Sequence, residues 1–173
     1  MRSMGIDHVL AMSERIREKV EHLPEFVSSD IIASYVATNE EVQTEQIIRD
    51  SLSQGKRVLV PKVISRNELL FSEIKEMADL ETGTFGLLEP KLSLIRRVPL
   101  MDAKLILVPV VAWDERGYRV GHGNAYFDSA LSGITSITIG LGFEAQRTDH
   151  VPEERHDVPL KMIITEKRIM RFG

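Results

Sequence analysis

The residues best suited to chemistry fall in one stretch of the chain. It runs Val108-Pro109-Val110-Val111-Ala112-Trp113-Asp114 and then Gly117-Tyr118-Arg119-Val120-Gly121-His122-Gly123-Asn124-Ala125-Tyr126-Phe127-Asp128. Gly121 and Gly123 let the backbone approach an anion closely, and the unpaired N–H groups opening a following helix would point at it. Arg119 can add a bidentate contact to phosphate. Asp128, roughly one turn into that helix, is placed to hold a magnesium ion bridging phosphate oxygens. The same residues also suit a plain strand-to-helix turn with a solvated Arg119. The stretch is not a Walker A loop, since G-x-x-x-x-G-K-[ST] is absent, and it does not complete a dinucleotide fingerprint. His122 reads equally as a donor to a phosphate oxygen when protonated and as an exposed loop histidine. Trp113 and Phe143 have rings that stack on a base or pack beside a strand end.

These residues need a scaffold, and the periodicity supplies one. Val9, Ile16, Val20 and Leu23 recur at helical spacing, so 8–22 reads as an amphipathic helix. Residues 31–36 form a short β-branched run, and 41–53 a second helix closed by Gly55. Residues 57–64 return to strand character, and 69–74 suit an antiparallel edge strand. Gly83, Gly86, Pro90 and Pro99 mark 75–100 as mostly loop. Lys104–Val111 is the most apolar strand, as burial on both faces requires. A helix at about 124–132 ends at Gly133, and strands follow at 135–141 and, as the last, 161–165. This alternation predicts an α/β fold: a three-layer, Rossmann-like domain with a mainly parallel sheet flanked by helices, residues 1–173 forming one domain. Ligands of such sheets bind beyond the C-terminal strand ends. Ala37–Glu41, Pro109–Asp128 and Gly142–Gln146 leave strands there.

Composition narrows the function. The chain has 173 residues, 43% apolar and 28% charged, with a net charge of −4 and no basic cluster of the kind a nucleic-acid binder carries. It has no cysteine, which excludes disulfides, thiol catalysis and Cys-ligated metals. No apolar run reaches the ~18 residues of a membrane span. A cytoplasmic location, with neither nucleic acid nor membrane as partner, is the expectation; the oligomeric state stays open.

The order of motifs resembles the 5-formyltetrahydrofolate cyclo-ligase (5,10-methenyltetrahydrofolate synthetase) family. That family's P-G-x-x-F-D-x-x-G-x-R-L-G-x-G-x-G-Y-Y-D is matched in register by Pro109, Asp114, Gly117, Arg119, Gly121, Gly123, Tyr126 and Asp128. Leu23-Pro24-Glu25-Phe26, Glu41-Val42-Gln43-Thr44, Gly55-Lys56, Val60-Pro61-Lys62-Val63, Gly86 with Glu89-Pro90, Gly142-Phe143-Glu144-Ala145-Gln146, His156-Asp157 and Ile164-Thr165-Glu166 follow the family's order. The resemblance spans about residues 13–166.

The resemblance implies use of ATP and Mg2+ to convert 5-formyltetrahydrofolate to 5,10-methenyltetrahydrofolate, releasing ADP and phosphate. The formyl oxygen becomes a leaving group by phosphoryl transfer, N10 attacks the activated carbon, and phosphate departs. It implies that Arg119, Gly121, His122, Gly123, Asn124, Ala125, Tyr126 and Phe127 line the nucleotide, with Arg119, His122 and Tyr126 nearest the chemistry. His122, Gly123, Asn124, Ala125 and Tyr126 would also meet the reduced folate, together with Val36 and Glu41. Asp128 and Asp157 would be the magnesium carboxylates. Val36 also reads as core, Glu41 as a helix-start carboxylate and Asp157 as a turn residue.

The chain shows three departures from the family. Its N-terminal Lys-x-x-x-Arg pattern is not met by Arg15, Arg17 and Lys19, because Ser13 and Ile16 match the segment beyond it. Asn124 and Ala125 stand where Lys or Gly and then Gly are usual, and Phe127 replaces a tyrosine. A non-catalytic folate- or nucleotide-binding paralogue, or an ATP-dependent relative acting on another pterin, is the alternative.

Overall fold

One seven-stranded sheet organises the chain. The computed structural model describes residues 5–65, 68–83, 86–121, 126–155 and 157–173, the side chain of Tyr126 excepted. In chain order the elements are α1 (Ile6–His22), α2 (Pro24–Ser28), β1 (Ile31–Ser34), α3 (Glu45–Ser53), β2 (Arg57–Ser65) and β3 (Glu68–Ile74), then the short pair β4 (Leu80–Thr82) and β5 (Leu88–Pro90). Next come β6 (Leu105–Pro109), the hairpin strands β7 (Ala112–Trp113) and β8 (Arg119–Val120), α4 (Tyr126–Leu131), β9 (Ile137–Leu141), β10 (Met162–Ile164) and β11 (Ile169–Arg171).

The sheet order is β11-β10-β9-β6-β1-β2-β3. The strands from β10 through β2 pair in parallel, and β3 and β11 close the two edges antiparallel. The apolar strand is therefore the central one: all five residues of β6 are buried, between β1 and β9. Its side chains alternate, Leu105 and Leu107 entering one core and Ile106 and Val108 the other. Helices α1, α2 and α3 cover the first face through Ile16, Val20, Phe26, Ile47 and Ile48. The second face is covered by α4, through Phe127, Ala130 and Leu131, together with irregular segments around Leu100, Leu160 and Phe172. This is the three-layer α/β fold expected.

Several boundaries differ for identifiable reasons. The helix expected at 41–53 is α3 and starts at Glu45, because Thr44 before it spends its hydroxyl on the segment leaving β1, donating to the Tyr35 carbonyl at 2.8 Å. Gly55 ends that helix at φ 81°. Residues 75–100 contain the β4–β5 pair, and β10 is not the last strand, since β11 pairs back on it. Among the described residues, no helix is long and apolar enough to cross a membrane.

Candidate active site

The neighbours β1 and β6 connect onward in opposite directions, β1 to β2 on one side and β6 to β9 on the other. That reversal is where open α/β sheets bind ligands, beyond the carboxyl ends of the strands. From β1 comes the segment carrying Val36 and Glu41; from β6 comes the hairpin carrying Arg119.

The first segment folds back tightly. Tyr35 is buried and its hydroxyl donates to the Val42 carbonyl at 2.7 Å; burial, and then the charge of Glu41, push the phenol well above its ordinary range. Val36 is half-buried against the core, so its structural reading holds whatever else it contacts. Glu41 is only 5% exposed, and its Oε1 accepts the Thr38 N–H at 2.8 Å. Glu41 therefore lies before α3 rather than on it. The Gln43 amide donates to the carbonyls of Thr38 and Glu41 at 2.7 and 2.9 Å, and its backbone N–H donates to the Ser13 hydroxyl of α1 at 2.9 Å.

The second segment is built around Asp114. This fully buried carboxylate accepts the N–H groups of Arg116 at 2.9 Å, Tyr118 at 3.3 Å and Val151 at 2.8 Å, and the Arg116 guanidinium at 2.8 Å. Burial alone would raise its pKa; these bonds outweigh it and hold the carboxyl below its ordinary range. Leu160 N–H meets the Gly117 carbonyl at 2.9 Å, so the 151–160 stretch, with Asp157 inside it, is fastened to the hairpin at both ends. Gly117 has φ 93°, and a Cβ there would sit 2.8 Å from the Phe172 ring.

Arg119 corrects an expectation. It is not a solvated loop residue: its side chain is 6% exposed, Nη1 donates to the Pro109 carbonyl at 3.3 Å, and Nη2 pairs with Asp128 at 2.9 Å. Burial draws its pKa down while Asp128 pushes it up. A Cβ on Gly121 would come within 2.5 Å of Nη1, so the close approach that this glycine permits is to the guanidinium itself. Asp128, in the first turn of α4, is 67% exposed and keeps Oδ2 outside that ion pair. Phe127 turns inward, edge-on to Phe71 at 6.1 Å, and fixes α4 against β3. Trp113 and Phe143 are also core: the indole N–H donates to the Phe143 carbonyl at 2.9 Å, so neither ring is free to stack on a ligand.

Asp157 occupies an exposed turn in which Oδ2 accepts the Glu154 N–H at 2.7 Å, as its turn reading predicts. His122, Gly123, Asn124, Ala125 and His156, and the side chain of Tyr126, lie outside the described residues. Among the described residues no three His, Asp or Glu side chains gather to hold a metal by themselves. Sequence reasoning gave Gln146 no role of its own: its buried amide accepts from Phe143 N–H at 2.8 Å and donates to the Val110 carbonyl at 3.2 Å, tying the exit of β9 to that of β6. Its only signal is its place in the Gly142–Gln146 motif.

Three other motif residues have structural explanations. The Lys56 ammonium donates to the carbonyls of Phe26, Val27 and Ser29 at 2.8, 3.2 and 2.7 Å, closing the C-terminal end of α2. Lys62 and Glu89 form a mostly buried ion pair at 2.7 Å between β2 and β5.

Comparison with known proteins agrees with this architecture. Residues 1–166 match the model of the 5-formyltetrahydrofolate cyclo-ligase family. The chain is 31% identical to the 5-formyltetrahydrofolate cyclo-ligase of Haemophilus influenzae over 134 residues, 75% of this chain and 72% of that protein. It is 26% identical to the Escherichia coli K12 protein of the same name, covering 93% and 91% of the two chains. The NMR structure of Aquifex aeolicus 5,10-methenyltetrahydrofolate synthetase superposes with a TM-score of 0.85 at 29% identity, covering 97% of this chain and 84% of that one. A family match over nearly the whole chain, on a fold that brings the matched loops to one edge of the sheet, means that the chain belongs to the 5-formyltetrahydrofolate cyclo-ligase family of ring-forming ligases.

Proposed function

We propose that this protein converts 5-formyltetrahydrofolate to 5,10-methenyltetrahydrofolate with ATP and Mg2+, releasing ADP and phosphate. The observation that carries this reading is the match over residues 1–166. The buried Glu41 and the Arg119–Asp128 pair, on segments leaving adjacent strands, support it.

The residues fit the groups required. Asp128 is an exposed carboxylate with an oxygen outside its ion pair, and magnesium in nucleotide sites is held by one or two carboxylates plus phosphate oxygens. Asp157 is the proposed second carboxylate. When bound, ATP supplies the phosphoryl group that turns the formyl oxygen into a leaving group, and magnesium neutralises its charge. The protein's part is positioning and electrostatics. Arg119 holds a positive charge in a site of low solvent access, where it acts on phosphate more strongly than in water. Glu41 accepts from the amino-pyrimidine edge of the pterin, and Val36 packs on the same ring. Gly121 and Phe127 would border the nucleotide, and His122, Gly123, Asn124, Ala125 and Tyr126 both the nucleotide and the folate. Phe127 would contribute through its backbone, since its ring is committed to Phe71.

The test is to supply 5-formyltetrahydrofolate with Mg-ATP and follow the absorbance of the methenyl product, with a control lacking ATP. ATP-dependent product formation is expected. Binding of folate and nucleotide without turnover would replace this reading with the non-catalytic one.

A further inference from the structure

One buried polar side-chain atom among the described residues has no hydrogen-bond partner, the Thr38 hydroxyl. Leaving a buried hydroxyl unpaired costs enough that native structures rarely do so without a functional reason or a ligand to complete it. The rest of Thr38 is fully engaged: its N–H is held by Glu41 Oε1 at 2.8 Å, and its carbonyl accepts from Gln43 Nε2 at 2.7 Å and Glu41 N–H at 3.3 Å. The orphan thus sits on a braced turn, beside the carboxylate of Glu41, at the C-terminal edge of β1.

We infer that Thr38 is a substrate-binding residue whose hydroxyl hydrogen-bonds the oxo-bearing edge of the pterin beside Glu41. This rests on the reading of the protein as a folate enzyme. A carboxylate only accepts, so Glu41 can serve the amino and ring N–H groups of an amino-pyrimidinone but not its carbonyl oxygen. A hydroxyl next to it supplies the missing donor. The hydroxyl is screened from solvent, and the one backbone bond across the 38–41 turn is long at 3.3 Å, the shorter contacts there being made by the side chains of Glu41 and Gln43. Binding of the pterin therefore requires this turn to open far enough to expose it.

The experiment compares the parent with Thr38→Val and Thr38→Ser, measuring 5-formyltetrahydrofolate binding by calorimetry and melting temperature without ligand. Valine keeps the shape and removes the unpaired group, so its melting temperature should equal or exceed the parent's. Its affinity should fall about three- to tenfold, the usual worth of one neutral hydrogen bond. Serine should bind like the parent. Parent-like affinity in Thr38→Val overturns the inference. So does a lower melting temperature accompanying the lost affinity, which assigns the hydroxyl to the fold. If the parent itself does not bind the folate, the functional reading falls and this inference with it; the parent's titration separates that failure from one confined to Thr38.

Discussion

Arg119 and Asp128 meet at 2.9 Å across two environments, the guanidinium enclosed beneath the hairpin and the carboxylate open to solvent. The pair joins the end of β6 to the first turn of α4 through the Pro109 carbonyl. Because Asp128 is solvated, Arg119→Ala strands no buried charge; it removes the packed side-chain stem and one backbone contact. The expected cost is about 1–2 kcal/mol of stability, measured by urea unfolding. If Arg119 also serves phosphate, ATP affinity in calorimetry should fall by roughly tenfold or more. Unchanged affinity would leave it a structural residue.

Asp114→Asn should be more damaging. The amide cannot accept from all the N–H groups that converge on Asp114, and it leaves Arg116 without its buried anion. A loss of about 2–4 kcal/mol is expected. The folded-state pKa of Asp114 lies below its ordinary value, so its contribution is present above that value and fades as pH falls through the folded one. Urea midpoints at neutral and acidic pH should converge for parent and variant; a gap that persists in acid would contradict this.

Lys56→Met tests whether a motif lysine is there for the fold. The ammonium binds three carbonyls and lies 4.9 Å from the centre of the Phe26 ring. Its removal should cost about 1–2 kcal/mol in chemical denaturation while Michaelis constants for nucleotide and folate stay within twofold. A selective rise in either constant would move Lys56 into the site.

A pH dependence should arise far from that edge, between α1 and α3. Glu21 is 12% exposed beside Arg17 and Asp50, and burial, followed by its hydrogen bond to Asp50, raises its pKa from an ordinary 4.5 to about 7. Burial would raise Asp50 too, but bonds from Gln46, Glu21 and Arg17 outweigh it and lower Asp50. The folded protein thus keeps a proton on Glu21 that the unfolded chain releases. That stabilisation is complete below pH 4.5 and lost as pH rises through about 7. Melting temperature should decline between pH 5 and 8, and Glu21→Gln should flatten the decline. Parallel curves would show that Glu21 is not the titrating group.

The parallel strands and the long helices were legible because each buries a face at its own period; Leu105 to Pro109, apolar throughout, marks the sheet's centre. The elements that escaped are short. Ile169–Arg171 offers a strand of three residues, and α2 is five residues long, too few for either period to register. At the site, the order of the elements placed Val36, Glu41 and Arg119 on loops at one edge. The burial of Arg119 was not legible, because it follows from a hairpin folding the guanidinium under a carbonyl ten positions earlier and a carboxylate nine positions later. Local composition around it is polar and glycine-rich, and carries no trace of that enclosure.

The position of β6 also bears on how the chain comes to be folded. During synthesis β1, β2 and β3 are complete long before β6, whose Leu105 pairs with Ile32 about seventy residues earlier. Until then β1 presents an unpaired, apolar edge along Ile31–Ser34, the kind of template that recruits other chains. Insertion of β6 is a late, long-range closure that gives β1 its second neighbour and opens the seat for β9. The step that covers the edge of β1 thus passes the exposed edge on to β6, where it stays until β9 pairs with it.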